Sequence, residues 1–150
     1  MCGKRSGLVS IGYEGRTAEE LLARLVELGV KTLVDVRLTP LSRKPGLSKT
    51  RLASTCFAAG IEYVHLPALG NPKENREPFR TGKAKLGCIR YSSLMAEPAA
   101  VSAMDQLETL ARDARTAVLC FERQHAQCHR QVIVDALVKR LGGDPQLIHA

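Results

Sequence analysis

The residues with the richest chemistry lie within eleven positions near the end of the chain. Cys120 and Glu122 close an apolar run, and a short polar turn separates them from Cys128, His129 and Arg130. A thiol can act as a nucleophile, an imidazole or carboxylate can carry a proton, and a guanidinium binds anions. This spacing predicts a reactive site in which Cys120, Glu122, Cys128 and His129 are catalytic and Arg130 binds an anion.

A helix predicted from about residue 127 to 141 places these groups relative to one another. At about 100° per residue, His129 falls at the middle of its apolar face, and Cys128 and Arg130 flank it. A helix N-terminus near both thiols would favour a thiolate, and hence a nucleophile or a metal ligand. The simpler alternative is that Cys120 is a small buried apolar residue and His129 a hydrogen-bonded capping residue.

Strands and helices alternate along the whole chain. Apolar runs and helical spacings predict strands at 8–12, 30–36, 61–66, 116–121 and 146–149, and helices at 17–28, 48–59, 91–115 and 127–141. Such alternation is typical of an α/β fold, so we expect a single three-layer domain over residues 1–150. Its sheet would be mostly parallel, with helices on both faces. Residues 1–7 are expected to be flexible.

Polar side chains follow several of these strands. Ligands of open α/β sheets bind beyond the carboxyl ends of the strands, so side chains that converge there indicate a site. Asp35 could be a general base or a metal ligand, or could simply pair with Arg37. His65 could equally be a hydrogen-bonded core residue. The residues expected at this edge, besides Cys120 and Glu122, are Tyr13, Glu14, Asp35, Arg37 and His65.

The net charge of +7 is concentrated in two connecting segments. Residues 37–51 contain five basic residues and no acidic one, and residues 71–90 contain six basic and two acidic residues. Such segments are typical of sites that receive phosphate. We expect Ser42 and Arg43 to bind an anion with Arg37, although a solvated basic loop is the alternative. The stretch 67–90 is predicted as a lid-like basic loop.

Five cysteines in a chain without a secretory signal favour reduced thiols or a metal site over a disulfide framework. No apolar stretch approaches the ~18 residues of a membrane span. We therefore expect a cytoplasmic protein without a membrane partner; the oligomeric state is left open. His125 and His149 are expected at the surface.

Several of these motifs occur in a recognisable order and resemble the family known as domain of unknown function 488. The resemblance runs from about residue 8 to 141 and implies a single compact α/β domain of bacteria or archaea, without assigning a reaction. The motifs that carry it are Ser10-Ile11-Gly12-Tyr13-Glu14-Gly15, Leu33-Val34-Asp35-Val36-Arg37 with Pro40 and Ser42-Arg43, Gly60-Ile61-Glu62-Tyr63, Leu69-Gly70, and Leu119-Cys120-Phe121-Glu122 with Cys128-His129-Arg130.

Three functions fit these residues. The first is an enzyme, a hydrolase or transferase, acting on a phosphate-bearing substrate such as a nucleotide or nucleic acid. The second is a metal-binding or thiol redox protein that uses Cys120, Glu122, Cys128 and His129, with iron or zinc as the divalent metal. The third is a non-catalytic basic module that binds nucleic acid in a salt-sensitive way.

Overall fold

A computed structural model describes residues 7–143 and 146–150. The predicted flexible N-terminus, apart from Gly7, lies outside the described residues. Five strands form one sheet in the order β3-β2-β4-β1-β5, and every pairing between them is parallel. The strands are Leu8–Gly12 (β1), Thr32–Asp35 (β2), Glu62–His65 (β3), Thr116–Cys120 (β4) and Leu147–His149 (β5).

Helices cover both faces of this sheet, which confirms the predicted three-layer α/β class. α4, α5 and α6 pack on one face, and α1 and α2 pack on the other. No helix in the described part of the chain is long and apolar enough to cross a membrane. The helices are Ala18–Glu27 (α1), Lys49–Ala58 (α2), Glu77–Arg80 (α3), Ala84–Leu94 (α4), Pro98–Asp113 (α5) and Arg130–Arg140 (α6), with short 3-10 helices at Pro67–Leu69, Lys73–Asn75 and His125–Gln127.

The three central strands are buried along their whole length. Their side chains alternate between two apolar clusters, so that Val34 and Val118 pack beneath α5 and α6 while Leu33 and Leu119 pack against α1 and α2. A strand covered on both faces must be apolar from end to end, as these sequences are. The core therefore holds the carboxyl ends of β1, β2 and β4 rigidly side by side.

The structure differs from the sequence expectation between residues 67 and 115. The segment predicted as a loop contains two 3-10 helices, α3 and the start of α4, and the helix predicted over 91–115 is interrupted before Pro98, which begins α5. Proline is favoured in the first turn of a helix. The prolines that suggested a loop therefore lie at the starts of helices instead.

The segment before α4 is attached to that helix by specific contacts. The Asn75 side chain donates hydrogen bonds to the Gly87 carbonyl (2.9 Å) and to Asn71 (3.0 Å). A Cβ atom at Gly87 would lie 2.5 Å from the ring of Phe79, so only glycine lets the two segments approach this closely. These contacts hold the basic residues of the segment over the sheet edge.

Candidate functional site

A cavity of about 610 Å³ opens at the carboxyl ends of the central strands. β4 lies between β1 and β2, with Cys120 opposite Gly12 and Leu119 opposite Asp35, so the segments that leave these strands are neighbours. The predicted edge is therefore where the cavity lies. Six of the predicted site residues line it: Tyr13, Glu14, Arg37, Cys120, Glu122 and His129.

The chain segments after β1 and β4 remain paired beyond the strands. The amide of Tyr13 donates to the Cys120 carbonyl (3.3 Å), and that of Glu14 donates to the Phe121 carbonyl (2.9 Å). A Cβ atom at Gly12 would lie 1.9 Å from the carbonyl oxygen of Glu122. The absence of a side chain at Gly12 thus lets Cys120 and Glu122 take their places in the cavity wall.

The Cys120, Cys128 and His129 side chains meet at the cavity floor. The Nδ1 atom of His129 lies 3.9 Å from Cys120 Sγ and 3.6 Å from Cys128 Sγ, and its Nε2 atom is 3.2 Å from the carbonyl oxygen of Val36. The amide of Arg130, in the first turn of α6, points at Cys128 Sγ at 3.5 Å. His129 lies behind the strand ends with a helix N-terminus beside the thiols, as expected, but α6 begins at Arg130, so His129 precedes the helix and does not lie on its apolar face.

The two thiols differ in exposure and in protonation. A hydrogen bond from Cys128 and the charge of His129 hold the pKa of Cys120 well below 9.0 despite its burial. Burial and the neighbouring Cys120 raise the pKa of Cys128. Burial lowers the pKa of His129, but the charge and hydrogen bond of Cys120, the charge of Glu122 and the hydrogen bond to Val36 together outweigh burial and leave that pKa raised. Cys120 reaches the cavity and its lowered pKa favours the thiolate, whereas Cys128 is fully buried and its raised pKa favours the thiol.

Glu122 stands beside this pair with an unusual carboxyl group. Burial, and then the negative charge of Cys120, raise its pKa. Its Oε2 atom is buried and has no hydrogen-bond partner among the described residues. Both facts favour the protonated form, which can donate a proton into the cavity.

Part of the cavity lining is basic. The basic residues come from the segment attached to α4. The sequence analysis identified the positive charge of residues 71–90 but did not predict these residues individually. Apolar side chains also line the cavity. The basic residues are Lys73, Arg76 and Arg80, and the apolar ones include Leu38, Leu41, Phe79 and Phe121.

Asp35 and Arg37 form an ion pair. This was the simpler of the two expectations for Asp35, the other being a general base or metal ligand. The Nε and Nη2 atoms of Arg37 donate to the two carboxylate oxygens of Asp35, and its Nη1 atom donates to the Leu47 carbonyl (2.7 Å). The Tyr63 hydroxyl also donates to Asp35. Asp35 is fully buried and does not line the cavity, so its role is to hold the end of β2.

Three other predicted residues lie away from the cavity. His65 ends the edge strand β3, and its Nε2 atom is 2.8 Å from the Arg37 carbonyl oxygen. Ser42 exchanges hydrogen bonds with Ser48 within its own loop. Arg43 is exposed on that loop. None of the three lines the cavity, because the loop carrying Ser42 and Arg43 leads away from it and β3 is separated from β4 by β2.

Arg130 is fully buried and does not line the cavity either. Its Nε atom donates to Ser10 Oγ (2.9 Å). The Ser10 hydroxyl in turn lies 2.7 Å from Nδ1 of His125. His125, expected at the surface, is thus half-buried and hydrogen-bonded. Its ring lies edge-on to that of His149, with 4.5 Å between the ring centroids. Sequence spacing could not reveal this contact, because 115 positions separate Ser10 from His125.

Cys120, Cys128 and His129 also have the arrangement of a metal site. Their ligand atoms lie within 4.8 Å of one another, and the group is buried. Tetrahedral coordination by sulfur and imidazole nitrogen at usual bond lengths gives an S–N separation of roughly 3.5 Å, close to those seen here. Metal-bound histidines commonly donate their other N–H to a carbonyl, as His129 can to Val36. Glu122, the fourth expected ligand, does not belong to this group.

Comparison with known proteins identifies the family. The model of the family described as domain of unknown function DUF488 matches residues 17–137. This match covers most of the chain, and the chain therefore belongs to that family. No curated protein and no solved structure matches it.

Proposed function

We propose that this member of the DUF488 family is an enzyme that acts on a phosphate-bearing substrate, a nucleotide or a nucleic acid. One observation carries the proposal: Cys120, whose thiol has a lowered pKa, lines the same cavity as the basic residues Lys73, Arg76 and Arg80. Guanidinium and ammonium groups bind phosphate, and a thiolate is a strong nucleophile. An anion bound by these cations would therefore lie in the same cavity as the nucleophile.

The residues present suit displacement by way of a covalent intermediate. The Cys120 sulfur would bond to the electrophilic centre of the substrate while the leaving group departs with its electron pair. Glu122 would supply the proton that the leaving group needs, because burial and the charge of Cys120 raise the pKa of its carboxyl group. Water, or a second acceptor, would then displace the sulfur, which makes the enzyme a hydrolase or a transferase.

The direct test is a panel of nucleotides and oligonucleotides incubated with anaerobically purified protein, with product release as the readout. We expect Cys120→Ser to reduce turnover by at least about a thousandfold, because an alcohol replaces a thiolate. Cys88→Ser is the matched control, since Cys88 does not line the cavity. Equal turnover by wild type and Cys120→Ser would exclude the nucleophile.

A second candidate is favoured by the S–N separations. Cys120, Cys128 and His129 would hold zinc or iron, with the fourth position open to the cavity as in catalytic metal sites. Elemental analysis of anaerobically purified protein separates the two candidates. Stoichiometric metal, absent from Cys128→Ser and retained by Cys88→Ser, would establish the metal site. Metal-free protein with a reversible Cys120–Cys128 disulfide would instead indicate redox function.

A reducing, cytoplasmic location belongs to this proposal. The described cysteines Cys56, Cys88, Cys120 and Cys128 are all free. A thiolate beside a second thiol is readily oxidised, so the site needs a compartment that keeps thiols reduced. Salt-sensitive binding of nucleic acid without turnover, unchanged by Cys120→Ser, would favour a non-catalytic basic module.

A further inference from the structure

Three large apolar side chains are exposed in the cavity that contains Cys120. Leu38 is 41% exposed, Leu41 is 72% exposed and Phe121 is 43% exposed, and all three line that cavity. Leu38 and Leu41 belong to the loop after β2, whereas Phe121 directly follows β4. Exposed apolar side chains that gather at one cavity from different segments typically contact a ligand with apolar surface. These three residues form the exposed apolar lining.

Close packing holds the exposed apolar lining next to the basic residues of the cavity. A Cβ atom at Gly70 would lie 2.6 Å from both the Cβ atom and the amide nitrogen of Leu38. Only glycine therefore lets the segment after β3 pass this close to the loop after β2. The same segment continues into the basic lining, which consists of Lys73, Arg76 and Arg80. A ligand that contacts both linings carries apolar surface and negative charge in one molecule.

Phe121 supplies an aromatic ring to this cavity. Its ring packs against that of Tyr13 at an angle of 78°, with 5.3 Å between the ring centroids. The chain has three tyrosines and three phenylalanines, all among the described residues, and of these only Phe57 and Phe121 are exposed. Phe57 lies on α2 and does not line the cavity. Because aromatic side chains stack on planar bases, Phe121 favours a nucleobase as the apolar part of the ligand.

Neutral polar side chains in the cavity also fit a nucleobase. Thr39 and Gln127 line the cavity. A hydroxyl and an amide can each donate and accept hydrogen bonds, and the edges of bases present both donors and acceptors. A hydrocarbon chain presents neither. The polar part of the lining therefore favours a base over an aliphatic phosphate ester.

We propose, on the basis of the function proposed above, that the substrate is a free nucleotide. Its base lies against the exposed apolar lining, and its phosphate is bound by the basic lining. Proteins that bind single strands stack successive bases on several aromatic side chains along a groove. Among the aromatic residues of the described chain, Phe121 alone is both exposed and part of the cavity. The cavity volume of about 610 Å³ lies within the usual range for small-molecule sites.

Base recognition can be measured as equilibrium binding, independently of turnover. The full chain carrying Cys120→Ser is used, because the proposed covalent step cannot then consume the ligand. The probes are the 5′-monophosphates and 5′-triphosphates of adenosine, guanosine, cytidine and uridine. Ribose 5-phosphate and inorganic triphosphate are the comparators without a base. At least one nucleotide should bind at least about tenfold more tightly than its comparator, because stacking acts on the base alone.

Substitutions in the two linings should have different effects. Phe121→Ala should raise the dissociation constant of that nucleotide at least about fivefold and that of its comparator less than about twofold. Phe57→Ala, outside the cavity, is the matched control and should change neither constant by more than about twofold. Arg76→Gln should weaken the binding of nucleotide and comparator alike. If Phe121→Ala does not fold, Phe121→Leu replaces it, since leucine keeps apolar bulk but cannot stack.

Four results would overturn the proposal. Comparators that bind as tightly as every nucleotide would exclude base recognition, as would equal weakening of nucleotide and comparator by the Phe121 variant. A single-stranded hexanucleotide that binds more than about tenfold tighter than any nucleotide would assign a nucleic acid instead. Hexyl phosphate that binds as tightly as the nucleotides would assign an aliphatic phosphate. The nucleophile at Cys120 fails separately, through equal turnover by wild type and Cys120→Ser, so the two failures are distinguishable.

Discussion

The Nδ1 atom of His129 lies 3.9 Å from Cys120 Sγ, while its Nε2 atom lies 3.2 Å from the carbonyl oxygen of Val36. A carbonyl can only accept, so Nε2 carries a proton whatever the state of the ring. Any second proton must then sit on Nδ1, facing the thiols. This orientation puts any positive charge of the ring beside Cys120, where it lowers the pKa of that thiol together with the hydrogen bond from Cys128. The reactivity of Cys120 is therefore the first property to measure.

Cys120 should be the thiol that iodoacetamide modifies first in metal-free protein. Its alkylation rate should reach half its maximum well below pH 9.0, whereas the buried Cys56, with a pKa of about 11, should stay unmodified. Cys128→Ala removes the strongest stabilising hydrogen bond and should slow alkylation at pH 7 at least about tenfold. Mass spectrometry of peptides over a pH series gives the rates, with Cys88→Ala as the control. Uniform reaction with midpoints near 9 would contradict the assignment.

Gly12→Ala should disturb both the fold and the site. The new Cβ would lie 1.9 Å from the Glu122 carbonyl oxygen, so the backbone must move, at a cost of about 1–3 kcal/mol or more. Gly7→Ala is the control, because there the Cβ meets only the flexible end of Arg115 and should cost less than about 1 kcal/mol. Urea unfolding measures both changes. An equal loss for the two variants would rule out a requirement for close approach at Gly12.

Asp35→Asn should destabilise the protein strongly without direct loss of a reactive group. The substitution leaves the buried guanidinium of Arg37 without a charged partner, which typically costs about 3–5 kcal/mol. Glu27→Gln breaks the exposed pair with Arg24 and should cost less than about 1 kcal/mol. The measurement is the free energy of unfolding by denaturant. A change at Asp35 no larger than that at Glu27 would show that the pair is dispensable.

His125 should make the protein less stable in weak acid. Its pKa is lowered from 6.5 to about 4, so the unfolded chain takes up this proton at a higher pH than the folded one. The free energy of unfolding therefore falls as the pH drops from about 6.5 to 4. Because the ring is half-exposed, the contribution is on the order of 1 kcal/mol.

His125→Gln provides the comparison, since the amide oxygen can still accept from Ser10 but does not titrate. Thermal unfolding of both proteins at several pH values between 4 and 7 isolates the histidine contribution. The wild-type curve should fall more steeply than that of the variant. Parallel curves would mean that His125 titrates alike in the folded and unfolded states.

The sequence by itself determined the architecture and the location of the site. Apolar runs and helical spacings are local properties, so the order of the strands along the chain and the positions of α1, α2 and α6 followed from them. The carboxyl ends of parallel strands lie at one edge of the sheet, and this rule predicts that Cys120, Glu122 and His129 lie close together.

Only the tertiary structure decided which of the candidates face the cavity. The order of strands placed β4 between β1 and β2 and left His65 at the sheet edge, which no local pattern encodes. The two cysteines beside the N-terminus of α6 differ in burial, since Cys120 keeps a slight exposure and Cys128 has none. Tertiary packing also decided that Leu47 and Tyr63 bind the Asp35–Arg37 pair and that Arg130 donates to Ser10, because these partners come from other parts of the chain.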